Sequence, residues 1–130
     1  MDVGVFMQTK QQKRAEFALE QIANFGTPVP SKSVSFIVST PTMLLMNGLG
    51  QTLAFLLSRG IDGNEGKVFN IIKEWLIKEQ FVPEAHNLEF LKKFNSLDQA
   101  EYLKAQHETL KLLEWLKRYA RAFQAIEGKN

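Results

Sequence analysis

The longest helical pattern in the chain is LDQAEYLKAQHETLKLLEWLKRYARAFQAI, residues 97–126. At about 100° per residue, its apolar side chains fall on one arc of a helix, and cations such as Lys111 and Arg118 fall on the other side. A helix of this length with one apolar face needs other helices to cover it. The stretch therefore predicts an all-α domain with a long C-terminal helix capped near Ser96 or Asp98. The predicted core arc comprises Tyr102, Ala105, Leu112, Leu113, Leu116, Tyr119, Ala120 and Phe123.

Shorter helical patterns precede this one. They cover about residues 9–25, 48–59, 64–80 and 88–94. Gly and Pro cluster at residues 26–30 and 60–66, which predicts loops between the helices. No long stretch alternates with the period of two that is typical of a strand. We therefore expect about five or six helices in one compact bundle that forms a single domain over residues 1–130.

Two boundaries in the first half of the chain follow from local rules. Thr40-Pro41 fits an N-cap followed by Pro at the first helical position, so a helix is expected to begin there. Residues 33–38 are then helical or irregular. Residues 1–6 lack any pattern and are expected to form a flexible N-terminal extension, with Met7 as an alternative start.

Composition excludes several classes of protein. The 130 residues include no Cys and only two His, which excludes a disulfide scaffold, a Cys-ligated zinc site and a thiol nucleophile. With 16 Lys and Arg against 14 Asp and Glu, the net charge is +2, so any nucleic-acid role must rest on local patches. No stretch resembles a membrane helix or a signal peptide, which favours a cytoplasmic protein.

Catalytic signatures are not apparent. Asn47-Gly48-Leu49-Gly50 lacks phosphate-binding spacing and a preceding strand, and is interpreted as a helix start or a packing contact. His107 lies on the polar face of the last helix, where Glu108 or Glu114 is near enough to pair with it, and is interpreted as a solvated side chain. The sequence therefore predicts no catalytic residues, no metal site and no cofactor.

Two groups of cations are candidates for binding RNA phosphates, because Lys and Arg at helical spacing can follow a phosphate backbone. The first group lies in the opening helix and the second in the last helix. The candidate residues are Lys10, Lys13, Arg14, Lys111, Lys117, Arg118 and Arg121. The alternative from the residues alone is an ordinary solvated face with helix pairs such as Glu114–Arg118.

A second apolar surface is expected on the last helix. Leu103 and Leu110 lie outside the core arc, and Trp115 lies at its border beside Lys111 and Arg118. An additional apolar surface on a small protein indicates a protein partner. Trp115 is equally suited to stack on a base. We therefore interpret Leu103, Leu110 and Trp115 as a partner interface.

Two stretches go beyond generic helix patterns. They are NGLGQTLAF, residues 47–55, and EWLKRYARAF, residues 114–123. Together with Lys13-Arg14-Ala15 and Ala18, they resemble the small helical subunit of the Cmr complex, the type III-B CRISPR RNA-guided effector. The resemblance covers about residues 7–123. The small subunit of the type III-A complex is a related possibility that these two stretches favour less.

The resemblance implies a non-catalytic subunit in antiviral defence. Copies of such a subunit stack into a filament beside RAMP-type backbone subunits, and the groove between them holds guide RNA and target RNA. The implied partners are these backbone subunits, neighbouring copies, the large polymerase-like subunit and both RNAs, with no cofactor and no membrane. Lys13, Arg14, Lys117 and Arg118 match motif positions, whereas Lys10, Lys111 and Arg121 follow from spacing in this sequence.

The sequence differs from the family pattern in one segment, and two other functions are alternatives to an RNA-binding subunit. Residues 33–46 carry no charge, where the family pattern has basic residues before the Pro, so no RNA contact is expected from them. A helical adaptor that binds only protein would show no dependence on RNA. A helix-turn-helix DNA binder would need an exposed polar recognition helix, and the helix at 48–59 is too apolar for that role.

Overall fold

Five α-helices and one 3₁₀ turn make up the fold, in a computed structural model that describes residues 7–126. The helices are α1 (Lys10–Ile22), α2 (Ser31–Ser58), α3 (Asn64–Lys78), α4 (Asn87–Asn95) and α5 (Gln99–Ala122), and the 3₁₀ turn is Ala23–Phe25. Because residues 7–126 contain no β-strand, the predicted all-α class and helix number are confirmed. The expected extension at residues 1–6 lies outside the described residues.

The first helix begins at a capping box. The Thr9 hydroxyl accepts a hydrogen bond from the Gln12 backbone N–H at 3.1 Å, and the Gln12 side chain accepts one from the Thr9 N–H at 2.8 Å. The two bonds satisfy donors that the start of a helix otherwise leaves free. Gly26, with φ of 125°, ends the 3₁₀ turn that follows α1. The predicted helix at 9–25 is thereby confirmed, with its last turn tightened.

The predicted helix start at Thr40-Pro41 is wrong. Helix α2 begins at Ser31, directly after Pro30, whose φ of −60° and ψ of 145° lead into the first turn. Thr40 and Pro41 therefore lie inside the helix. The local sequence rule failed because a Pro that suits a first turn is also tolerated inside a helix when another group satisfies the carbonyl that it leaves free.

That group is the hydroxyl of Thr40. Pro41 has no N–H to donate to the carbonyl of Ile37, four residues earlier. Instead, the Thr40 hydroxyl donates to the Ile37 carbonyl oxygen at 2.7 Å. Both Thr40 and Ile37 are fully buried, so the carbonyl has no access to water. The Thr-Pro pair thus replaces a backbone hydrogen bond with one from a side chain.

Helix α2 is broken at Gly48, where φ is 80° and ψ is 165°. Side chains of α5 bond to the amides that the break frees: Gln106 Oε1 accepts from the Leu49 N–H at 2.8 Å, and the Tyr102 hydroxyl accepts from the Gly50 N–H at 2.9 Å. The interpretation of Asn47-Gly48 as the start of a helical segment is therefore confirmed. Because α2 is interrupted, α5 is the longest continuous helix, at 24 residues.

The break also affects Thr52, which is 1% exposed and whose hydroxyl has no hydrogen-bond partner among the described residues. In α5, by contrast, the Thr109 hydroxyl donates to the Ala105 carbonyl four residues earlier at 2.8 Å. The residue four before Thr52 is Gly48, whose ψ turns its carbonyl away from the helical direction. Thr52 has thus lost the acceptor that a continuous helix would provide.

Substituting Thr40 and Thr52 separately with Val is expected to change stability in opposite directions. Thr40→Val leaves the buried Ile37 carbonyl without a partner and should cost about 1–3 kcal/mol in the free energy of unfolding. Thr52→Val removes a buried hydroxyl without a partner and should add about 1 kcal/mol. Urea unfolding followed by circular dichroism measures both values. Losses of similar size in the two variants would contradict this assignment of hydrogen bonds.

The core lies where α5 packs against α1 and α2, with α3 completing it on the side of α2. Its largest fully buried side chains are Trp75, Phe69, Phe90, Phe94, Ile37, Leu44, Leu49, Leu53, Leu56, Ile71, Ile72 and Leu76. The Trp75 ring lies 4.9 Å from that of Phe17, which ties α3 to α1. The predicted cap of α5 is confirmed at Asp98, whose carboxylate accepts from the Glu101 N–H at 2.8 Å.

The last helix is shorter than the pattern predicts. It ends at Ala122, and Phe123, expected in the core, is 50% exposed. The reason is that the chain beyond the helix pairs with Val29 in the loop after α1. The Val29 N–H donates to the Phe123 carbonyl, and the Ala125 N–H donates to the Val29 carbonyl, both at 2.8 Å. These bonds compete with continuation of the helix.

Candidate nucleic-acid interface

An open groove of about 740 Å³ lies between α1 and α5. It is lined by Gln11, Arg14, Lys111, Glu114, Trp115 and Arg118. The groove exists because α1 and α5 pack side by side, so residues about 100 positions apart in the chain face one another. It brings together members of both predicted cation groups and the border tryptophan. Hereafter it is called the α1/α5 groove.

Arg14 lies at the inner side of this groove and is 6% exposed. Its Nε donates to Glu108 Oε2 at 2.7 Å, and its Nη2 donates to Glu108 Oε1 at 2.9 Å. Such a two-point contact is the strong form of an ion pair between Arg and a carboxylate. The charge of Arg14 is therefore compensated inside the protein, and Arg14 is not one of the free cations of the groove.

From the sequence, Glu108 is considered only as a partner of the solvated His107, but Glu108 is buried. It is 8% exposed, and besides Arg14 it accepts a hydrogen bond from the Trp75 indole N–H at 2.9 Å. Burial alone would raise the pKa of Glu108. The hydrogen bonds from Arg14 and Trp75, with the positive charge of Arg14, instead hold that pKa below its ordinary value of 4.5. The carboxylate is thus a structural anion that joins α1, α3 and α5.

The other cations of α1 differ in their surroundings. Lys10 forms an ion pair with Glu79 after the end of α3. Lys13 is exposed, forms no ion pair with any described residue, and does not line the α1/α5 groove. Of the first predicted group, Lys13 is therefore the cation available to an external ligand.

Along α5, Lys111 and Arg118 are exposed, line the groove, and have no ion pair within residues 7–126. Lys117 is half-buried and pairs with Glu114 at 3.5 Å. Arg121 is exposed beyond the groove, also without a described ion-pair partner. Since Glu114 pairs with Lys117, the expected Glu114–Arg118 pair does not form. Lys111 and Arg118 are thus the uncompensated charges of the α1/α5 groove.

Trp115 lies between these two cations on α5. Its indole N–H donates to Gln11 Oε1 at 3.0 Å, and its ring lies 5.7 Å from the Tyr119 ring at an angle of 32°. The side chain is half-buried and packs against the core at one edge. The groove therefore combines an aromatic surface with two free cations.

The predicted partner-interface residues divide between two places. Leu103, which is 52% exposed, and the half-buried Leu110 line a smaller groove of about 250 Å³ on the side of α2. Its other lining residues are Leu44, Leu45, Gln106 and His107. Trp115 belongs instead to the α1/α5 groove. The apolar surface expected from Leu103 and Leu110 is thus present, and it extends onto α2 through Leu45, which is 67% exposed.

Within residues 7–126, no group of three or more His, Asp or Glu side chains is placed to hold a metal ion. None of the helices described there has the length and apolar character that crossing a membrane requires.

A family model described as "CRISPR-associated protein (Cas_Cmr5)" matches residues 10–123. The chain belongs to this family. The match begins at the first residue of α1 and ends just after α5, so it spans all five helices and both walls of the α1/α5 groove. As a Cas_Cmr5 protein, the chain is a small subunit of the type III-B Cmr complex, and other Cmr subunits are its partners. The family is one of accessory subunits without known catalytic members.

Proposed function

We propose that this Cas_Cmr5 protein lines the groove that holds guide RNA and target RNA in the Cmr complex, and that copies of it stack into a filament. The observation that carries the proposal is the pair of free cations, Lys111 and Arg118, on one exposed face of α5. Uncompensated Lys and Arg side chains at helical spacing suit phosphate contacts. Arg121 extends this basic surface along α5, and Lys13 adds an exposed cation on α1 outside the groove.

In this proposal the subunit binds and positions, and other subunits cut the RNA. Few phosphate contacts per copy are consistent with a net charge of only +2. Contacts repeated along a filament add up, because binding at one copy raises the effective concentration of RNA at the next. The proposed partners are RAMP-type backbone subunits, neighbouring copies and the large polymerase-like subunit, in a cytoplasmic complex that needs no cofactor in this chain.

The test reverses the two free charges in the reconstituted complex. Lys111→Glu with Arg118→Glu is expected to leave the fold intact and to weaken assembly on guide–target RNA. The slope of log K against log salt should fall by about 0.7–0.9 for each lost phosphate contact. Lys92→Glu with Lys93→Glu, at two exposed positions of α4, is the matched control for a change of four charge units. Unchanged assembly and unchanged target cutting in the groove variant would contradict the proposal.

The apolar groove at Leu103 and Leu110 favours a second candidate function, a helical adaptor that binds only protein. The two candidates differ in a tagged pull-down with and without ribonuclease. An RNA-lining subunit should recover guide RNA and lose part of its partners after ribonuclease treatment. An adaptor should recover the same proteins in both conditions and no RNA.

A further inference from the structure

Three groove residues of α5 follow one another in an order that matches a nucleotide. Lys111, Trp115 and Arg118 are spaced by four and three residues, so they lie on one face of the helix. Lys111 and Arg118 are two turns apart, about 10 Å along the axis. Along the helix axis, the aromatic ring therefore has one free cation on each side. A nucleoside likewise has one phosphate on each side.

The ring of Trp115 is held in place before any ligand arrives. Gln11 accepts its indole N–H at 3.0 Å, and Tyr119 packs beside it with ring centroids 5.7 Å apart. The long side chains of Lys111 and Arg118, by contrast, remain exposed. A fixed aromatic surface lowers the entropy lost when a planar group stacks on it.

The small number of free charges in the groove favours a ligand with few anionic groups, such as a single RNA strand. Arg14 is compensated by Glu108 and Lys117 by Glu114, so among the described residues that line the groove Lys111 and Arg118 are the cations left to attract a ligand. An acidic peptide would use these two charges and leave the ring without a planar partner. A nucleotide of an unpaired strand would use the charges and the ring together.

We propose that the α1/α5 groove binds one unstacked nucleotide of single-stranded RNA. The base stacks on Trp115, and the two phosphates that flank the nucleoside contact Lys111 and Arg118. This inference rests on the proposed RNA-lining function and adds to it a place for a base. Either guide RNA or target RNA can supply the nucleotide.

Photocrosslinking in the reconstituted Cmr complex tests the inference. 5-Iodouridine is placed at successive single positions of the guide RNA in one series and of the target RNA in another. A crosslink to Trp115 at particular positions is expected, and the series that gives it identifies the source of the nucleotide. Trp115→Phe should retain a crosslink at the same positions because it keeps a ring, whereas Trp115→Leu should abolish it. Thermal unfolding of both variants verifies that each is folded.

Measurements of RNA affinity and of its salt dependence distinguish the contact with the base from the contacts with phosphate. Trp115→Leu should weaken RNA binding by the complex roughly tenfold or more without changing its salt slope. Lys111→Gln should lower the salt slope by about 0.7. An abasic nucleotide at the crosslinking position should remove the difference between Trp115→Leu and the unaltered protein.

Other outcomes overturn the inference in distinguishable ways. If Trp115→Leu leaves RNA affinity unchanged and crosslinks map elsewhere, the base site is wrong while the RNA-lining function stands. If no RNA position crosslinks to Trp115 and Trp115→Leu instead releases another subunit from the complex, the groove is a protein contact. If the assembled complex holds RNA equally well after charge reversal at both Lys111 and Arg118, the proposed function itself fails.

Discussion

Glu108→Gln is expected to destabilise the protein by about 3–5 kcal/mol, because it leaves the buried guanidinium of Arg14 without a counter-charge. The amide keeps the size of the carboxylate and can still accept a hydrogen bond from the Trp75 indole. The loss of stability is therefore due to the missing negative charge and not to a change in side-chain shape. Urea unfolding at pH 7, followed by circular dichroism, measures the change. If Arg14 were exposed, the same substitution would cost less than about 1 kcal/mol.

The double variant Arg14→Met, Glu108→Gln separates a missing charge from poor packing. Methionine fills much of the volume of the Arg side chain, and the remaining amide still accepts from Trp75. Replacing both partners of a buried ion pair often costs little, and we therefore expect the double variant to recover most of the stability lost by Glu108→Gln. If the two single losses simply add in the double variant, the residues do not act as a pair.

The same pair has a definite dependence on pH. Because the pKa of Glu108 is lowered in the folded state, its contribution is fully present above the ordinary value of 4.5 and is lost as pH falls through the folded pKa. The difference in stability between the unaltered protein and Glu108→Gln should therefore shrink below about pH 4.5. A difference that stays constant down to pH 3 would contradict the lowered pKa.

Gly48→Ala is expected to destabilise the protein by about 1–3 kcal/mol. The φ of 80° and ψ of 165° at this position are open almost only to glycine. An added Cβ would lie 3.5 Å from Gln106 Oε1, which is an ordinary contact, so the cost comes from the backbone. Thermal and urea unfolding measure it.

The sign of the Gly48→Ala effect is informative, because in a continuous helix Ala is more favourable than Gly by about 1 kcal/mol. A gain in stability would mean that α2 runs unbroken through this position. Asn47→Ala, at the exposed neighbouring residue, is the matched control and should change stability by less than about 0.5 kcal/mol.

Sequence patterns predicted those features of the structure that depend only on the spacing of residues along one helix. The period of apolar residues in α5 gave the helix, its cap at Asp98 and the apolar surface at Leu103. The same period also contained the signal for Glu108, which lies at the border of the core arc, next to Tyr119. That signal was overlooked because a carboxylate on a buried arc makes sense only with a partner, and Arg14 lies 94 residues away.

Other features depend on contacts that one sequence does not display. Thr40-Pro41 satisfies the rule for a helix start equally well at the first turn and inside α2, and only the bond to the Ile37 carbonyl distinguishes the two. The α1/α5 groove requires two distant helices to meet. The sequence identified Lys111, Trp115 and Arg118 as candidates, but which of the seven cations stay free became clear only from their neighbours.

The pairing of α1 with α5 has a consequence for synthesis on the ribosome. Arg14 is made early, yet its partner Glu108 follows 94 residues later. At translation rates of about 5–20 residues per second, roughly 5–20 s separate the two. During that interval the nascent α1 lacks α5, the helix against which it packs most extensively. Helix α1 therefore has to wait for α5 before its buried ion pair can form, and for that time it is open to chaperones that bind exposed apolar segments.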